Sequence, residues 1–187
     1  MNEANQNPTA AVPVMDAEAI RRALRRIAHE IVERNPRLER VVLAGIPLRG
    51  VEIARRIASF IGDIERIDIH TGVIDVAMHR DDVGTRAELP VVHASKLPLP
   101  LDEHTVVIVD DVLYTGRTVR AAMDAISSFG RPARIQLAVL IDRGHRELPI
   151  RPDYVGKNLP TAVGEQIQLR LQETDHEPDA VWLERKA

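Results

Sequence analysis

The chain has 187 residues, a formal net charge of −3 and no cysteine. The slight acidity gives no global positive field, so any contact with nucleic acid must use a local basic patch, and a membrane surface is not expected. Disulfides and thiolate metal sites are excluded, and a cytoplasmic protein is expected. With 44% hydrophobic but only 3% aromatic residues, the core must be aliphatic, and the length suits one domain. No apolar run approaches the ~20 residues of a membrane span, and no signal peptide is evident.

Residues 1–15 are polar, contain two prolines and lack periodicity, which predicts a disordered tail before a single domain over 16–187. Asp16 is a plausible N-cap. Residues 16–34 carry Ile20, Leu24, Ile27, Ala28, Ile31 and Val32 at helical spacing, with Arg22, Arg25, Arg26 and His29 on the other side. Taken alone, that basic stripe is a solvated helix face. Asn35 and Pro36 end the helix. Residues 40–46 read as a buried strand and 50–61 as the helix after it. The loop between them, GIPLRG, is flanked by Gly45 and Gly50 and carries one charge, Arg49, whose guanidinium can grip pyrophosphate bidentately. Residues 64–69 and 73–79 look like strands. A polar, glycine-containing stretch through residue 88 follows; it reads either as a mobile lid, with Arg80 and Arg86 as its candidate cations, or as an ordinary exposed loop.

The segment VVIVDDVLYTGRT, residues 106–118, organises the rest. Four apolar residues read as a buried strand and end in Asp110 and Asp111. A turn with Thr115, Gly116 and Thr118 leads into a helix over 117–129. Ligands of open α/β sheets bind at such strand ends. Unpaired N–H groups at a helix start hold phosphate, and Gly116 can adopt positive φ. The two acids cannot also be phosphate ligands, because like charges repel. They suit a vicinal diol, so together the loop describes a ribose 5-phosphate site. Neither GxxxxGK[ST] nor GxGxxG is present.

Residues 134–141 are a further buried strand. The loop after it crowds Arg143, His145, Arg146 and Arg151 into nine residues, with Lys157 close behind. Residues 165–172 alternate like an edge strand, and 179–183 form another. Strands alternating with helices predict a central, mainly parallel sheet flanked by helices, with the chain after Asp142 forming a small hood over its ligand edge.

The 106–118 segment closely resembles the PRPP-binding signature of type I phosphoribosyltransferases. IRRALRRIAHE (20–30), the segment 106–123 and IQLAVLIDRGHRELPIRPDYVGKN (135–158) look like the PyrR family of bifunctional pyrimidine operon attenuators and uracil phosphoribosyltransferases. The resemblance runs from about residue 16 to about 172. It implies a glycosyltransferase reaction, uracil + PRPP → UMP + pyrophosphate, with Mg²⁺ bridging pyrophosphate and ribose oxygens. Asp110 and Asp111 then hold the ribose hydroxyls and are the candidate protein ligands of the metal. Val112, Leu113, Tyr114, Thr115, Gly116, Arg117 and Thr118 cradle the 5′-phosphate. Leu48 and Arg49 form the pyrophosphate loop, Arg80 belongs to the mobile loop, and Asp142 and Arg143 receive the base. The resemblance further implies binding of pyrimidine operon leader RNA when UMP or UTP is bound, promoting transcription termination. Arg26, His29, Arg34, Arg146, Arg151 and Lys157 correspond to the RNA-contacting residues, with Arg25 among them. A homodimer or larger homo-oligomer is implied as well.

Three residues depart from the family pattern: Leu48 and Arg25 each replace a Thr, and His79 replaces a Tyr. The lost hydroxyl at Leu48 bears on PRPP binding, and the added charge at Arg25 bears on RNA preference. An enzyme without RNA regulation and a regulator without turnover are the competing readings. The complete acid pair with TGRT and Arg49 opposes the second of these, and the two basic clusters oppose the first.

Overall fold

The computed structural model describes residues 11–77, 94–98, 100–162 and 164–185. Five parallel strands form the central sheet: β2 (Val41–Gly45), β3 (His70–Val73), β4 (Thr105–Leu113), β5 (Arg134–Asp142) and β6 (Tyr154–Asn158), in the order β3-β2-β4-β5-β6. Helices α1 (Ala17–Arg34), α2 (Arg49–Glu65) and α3 (Arg117–Ser127) flank it. The central strands are apolar on both faces, as a covered parallel sheet requires. Alternate residues serve two cores. Leu43, Val107, Val109, Ala138 and Leu140 join α1 and α2 on one face, whereas Val42, Val106, Ile108, Leu137 and Val139 join α3 on the other.

A second, antiparallel sheet in the order β1-β8-β7 is built from β1 (Ala11–Asp16), β7 (Glu165–Arg170) and β8 (Ala180–Arg185), with the short helix α4 (Gln172–Asp175) between the last two. This is the expected hood, and it corrects the tail expected over 1–15. From Ala11 the chain is a strand paired with β8, Met15 is buried, and residues 1–10 lie outside the described part. Pro13 fits because β1 is an edge strand, where the missing N–H leaves no central pairing unmade.

Asp16 caps α1, accepting a 2.7 Å bond from the Ala19 N–H. The strand expected over 64–69 is not one. Ile53, Ile57, Ile61 and Ile64 continue one helical stripe, so α2 runs through Gly62 to Glu65 and ends with Arg66 in the left-handed region. Of the strand expected over 73–79, only Val73 belongs to β3, and residues 74–77 are not strand. His79, Arg80 and Arg86 lie outside the described residues. Among the described residues no helix is long and apolar enough to cross a membrane.

Candidate active site

Strands β3 and β4 lie on opposite sides of β2, so the chain reverses direction across the sheet between β2 and β4. Such a switch point opens a crevice beyond the strand ends. The loop after β2 and the loop after β4 both begin there. They approach closely because of glycine. A Cβ on Gly50 would come within 2.5 Å of the Val109 carbonyl oxygen, and one on Gly45 within 2.4 Å of Val51 Cα. The Pro47–Leu48 peptide bond is cis.

Strand β4 runs four residues further than the apolar run, so Asp110 and Asp111 are strand residues rather than loop residues. Pairing with β5 holds them: Asp110 lies opposite Val139 and Val112 opposite Ile141. Asp110 is buried, and its Oδ1 accepts the Asp111 N–H at 2.9 Å. Oδ1 of Asp111 accepts the Val112 N–H at 2.7 Å. Its Oδ2 accepts no hydrogen bond from the described residues, leaving an oxygen available to a cation or a hydroxyl. Mg²⁺ fits this donor set, since it is held through one or two carboxylates plus substrate phosphate oxygens.

Gly116 has φ +94° and sits at the N-cap of α3, where the first N–H groups have no helical partner. Residues 112–119 with Asp110 line a cavity of about 130 Å³. The hood side of this cradle is closed by residues 147–150. The Thr115 carbonyl accepts the N–H groups of Glu147 and Leu148 at 3.0 and 3.1 Å, and Leu148 and Ile150 stand against Gly116. Arg117 forms an ion pair with Glu147 at 2.8 Å.

Arg49 opens α2. Its guanidinium is held by Asp175 of α4, Nε to Oδ2 at 3.0 Å and Nη2 to Oδ1 at 2.6 Å. This pairing, and secondarily Asp111 nearby, raises the Arg49 pKa. It also holds the Asp175 carboxyl down at about 2. Asp175 escaped the sequence reading, because nothing local links it to a loop 126 residues away.

In the loop after β5, Asp142 is committed to its own turn: Oδ1 accepts the Gly144 N–H at 3.0 Å and Oδ2 accepts Arg146 Nη2 at 2.6 Å. Arg143 is fixed by the Thr161 hydroxyl and the Glu165 carbonyl, and its guanidinium lies 4.1 Å from the Tyr114 ring centroid. The loop after β5 and the loop after β4 therefore meet at Tyr114, which is 46% exposed.

The two basic clusters also converge. Helix α1 packs beside β6, and Arg26 Nη2 donates to the Val155 and Gly156 carbonyls at 2.9 and 2.7 Å. Arg34 donates to the Asp153 carbonyl at 3.1 Å and lies over the Tyr154 ring. Arg25, His29, Arg151 and Lys157 are exposed and make no hydrogen bond or ion pair with the described residues. Arg146 is different. Its guanidinium donates to the Ile150, Tyr114 and Gly144 carbonyls and to Asp142, inside the loop that closes the cradle.

Fold and loop define a phosphoribosyltransferase domain, and the phosphoribosyl transferase domain family matches residues 14–174. Among solved structures, hypoxanthine phosphoribosyltransferase from Trypanosoma cruzi in complex with the product IMP superposes with a TM-score of 0.70 at 19% identity, over 97% of this chain and 94% of that one. At that identity the likeness is one of fold. The bifunctional protein PyrR of Roseiflexus sp. strain RS-1 is 58% identical, covering 92% of this chain and 94% of its own. That of Bacillus cereus strain AH820 is 55% identical, covering 88% and 92%. The chain belongs to the family of bifunctional PyrR proteins. Membership carries the two activities that the sequence resemblance implied, uracil phosphoribosyltransferase catalysis and regulation of pyrimidine gene expression.

Proposed function

We propose that PRPP binds across the β2–β4 crevice, with its 5′-phosphate against residues 112–118, its ribose hydroxyls on Asp110 and Asp111, and its pyrophosphate at Leu48 and Arg49. The observation that carries this is the joining of three elements at one sheet edge: a positive-φ helix start, a carboxylate, Asp111, with an oxygen that accepts no hydrogen bond from the described residues, and an arginine. Uracil N1 forms the bond to the anomeric carbon as the bond to pyrophosphate breaks, and the N1 proton is released. The acid pair favours the positive charge that develops on the sugar. Mg²⁺, held by substrate oxygens with Asp110 or Asp111, supplies neutralisation of the leaving group when bound. Arg143 and Asp142 border the base, with Tyr114 as its neighbour; Arg80 would come from the loop over the site.

The second part of the proposal is that UMP or UTP in this site favours binding of leader RNA in the cytoplasm, through Arg25, Arg26, His29, Arg34, Arg151 and Lys157. Four of these, Arg25, His29, Arg151 and Lys157, are exposed and make no hydrogen bond or ion pair with the described residues, which supports that reading, since arginine and lysine hold phosphates and an imidazole can stack on a splayed base. Arg146, engaged inside the loop, acts there by shaping the face. A homodimer or larger homo-oligomer would double the surface.

The test has two arms. Activity with PRPP is compared for uracil, orotate, hypoxanthine and guanine, and only uracil is expected to turn over efficiently. Binding to the leader RNA of the organism's own pyrimidine genes is measured with and without UMP at stated salt. UMP-stimulated, sequence-selective binding is the expected result. Binding indifferent to both UMP and RNA sequence would leave only the enzyme.

A further inference from the structure

We infer that Asp175 is a positioning residue for pyrophosphate: from the hood, it orients the Arg49 guanidinium so that one edge of that group is presented to the leaving group of PRPP. The inference deepens the proposal above and rests on its assignment of Arg49.

Arg49 and Arg56 leave α2 two turns apart and both meet the segment between β7 and β8, but they are used differently. Arg56 is saturated. Its Nε and Nη2 bind Glu173 at 2.9 and 2.6 Å, while Nη1 and Nη2 bind Asp179. It is an anchor, and all three of its nitrogens are spent. Arg49 is gripped side-on only, through Nε and Nη2. A guanidinium has five N–H donors. Two are used here, and Nη1 donates to no acceptor among the described residues. The remaining fork, Nη1 with the outer N–H of Nη2, matches two oxygens of a phosphate.

Asp175 is itself immobilised. Its Oδ2 accepts the Leu171 N–H at 2.8 Å and the Thr174 hydroxyl at 2.9 Å in addition to Arg49. A carboxylate fixed by two donors besides Arg49 in turn fixes a flexible side chain that would otherwise sample many rotamers. Ordering the guanidinium before ligand arrives removes that entropy cost from binding. The arrangement also ties the hood to the start of α2.

The experiment measures KM for PRPP, Ki for pyrophosphate and Kd for UMP in the full chain, its Asp175→Asn variant and its Arg49→Ala variant. UMP has no pyrophosphate, so it reports damage unrelated to the inference. For Asp175→Asn, KM for PRPP and Ki for pyrophosphate are expected to rise about tenfold, as for a charge-assisted bidentate pair, with UMP affinity within about twofold of the parent. Arg49→Ala should do at least as much. If Arg49→Ala weakens PRPP and pyrophosphate but Asp175→Asn does not, the inference fails and the role of Arg49 stands. If Arg49→Ala changes neither, the assignment of Arg49 fails and takes the inference with it. An equal loss of UMP binding in Asp175→Asn would make Asp175 merely structural. Should that variant not fold, Thr174→Val, which removes one of the groups fixing the carboxylate, is expected to give the same pattern at about a twofold shift; no shift there overturns the inference.

Discussion

Arg143 lies over the face of Tyr114, its guanidinium carbon 4.1 Å from the ring centroid, and so joins the loop after β5 to the loop after β4. The Tyr114 hydroxyl bonds to none of the described residues. The contact is therefore one of ring face and cation, which contributes about 0.5–1 kcal/mol at a partly exposed site. Tyr114→Phe should leave UMP affinity and turnover unchanged. Tyr114→Leu should weaken UMP binding about two- to fivefold, read by calorimetry. Equal effects from both variants would mean that the hydroxyl, not the ring, matters.

Asp111 offers a second test. Its Oδ1 accepts the Val112 N–H, and its Oδ2 accepts no hydrogen bond from the described residues. Asp111→Asn can keep the first contact, so the melting temperature should not move. On the proposed placement of PRPP, the negative charge beside the anomeric carbon is lost, and kcat should fall about 100-fold or more. A variant with an undiminished rate would remove Asp111 from the mechanism.

Most of this site was legible because its residues are contiguous. VVIVDDVLYTGRT places strand, acids and cradle within thirteen residues, and no distant partner is needed to recognise them. What stayed hidden depends on long-range pairing. Strand β1 exists because β8, more than 160 residues later, supplies its hydrogen bonds. Strand β6 was overlooked because its five residues, YVGKN, are apolar only at the start and are held by β5 on one side. Asp175 meets Arg49 only because α4 sets it there. The helix expected to end at residue 61 runs on through Gly62, because the isoleucine stripe carries α2 past it and packing outweighs the ~1 kcal/mol cost of a helical glycine.

The clamp between α2 and the hood predicts an acid-sensitive step. Arg49 holds the Asp175 carboxyl at about 2, and Arg56 lowers Glu173. Burial raises Asp179, but the Arg56 pairing and the Gln172 N–H bring it below its usual value. A carboxylate whose folded pKa is depressed contributes stability that is complete above its unfolded pKa and lost as pH falls through the folded value. For Asp175 that window runs from roughly pH 4 down to about 2. Allowing for solvent screening of partly exposed groups, the contribution is about 1 kcal/mol. Stability measured by urea unfolding should therefore fall less steeply over that window in Asp175→Asn than in the parent. Parallel curves would show that Asp175 does not titrate with folding.

The basic face makes the last prediction, because two of its arginine and lysine positions are built in opposite ways. Lys157 is exposed and makes no hydrogen bond or ion pair with the described residues, so Lys157→Ala should leave the melting temperature in place. It should weaken leader RNA binding across sequences and lower the salt slope by about one. Arg146 donates to three carbonyls and to Asp142 while closing the cradle. Arg146→Ala leaves those acceptors unmatched, at a cost of about 2 kcal/mol, or about 4–8 °C in melting temperature for a chain of this size. Its RNA binding should fall too, but with the salt slope unchanged, because the loss comes from a loop that no longer holds its shape. A reduced slope with unchanged melting would instead put the Arg146 guanidinium directly on a phosphate.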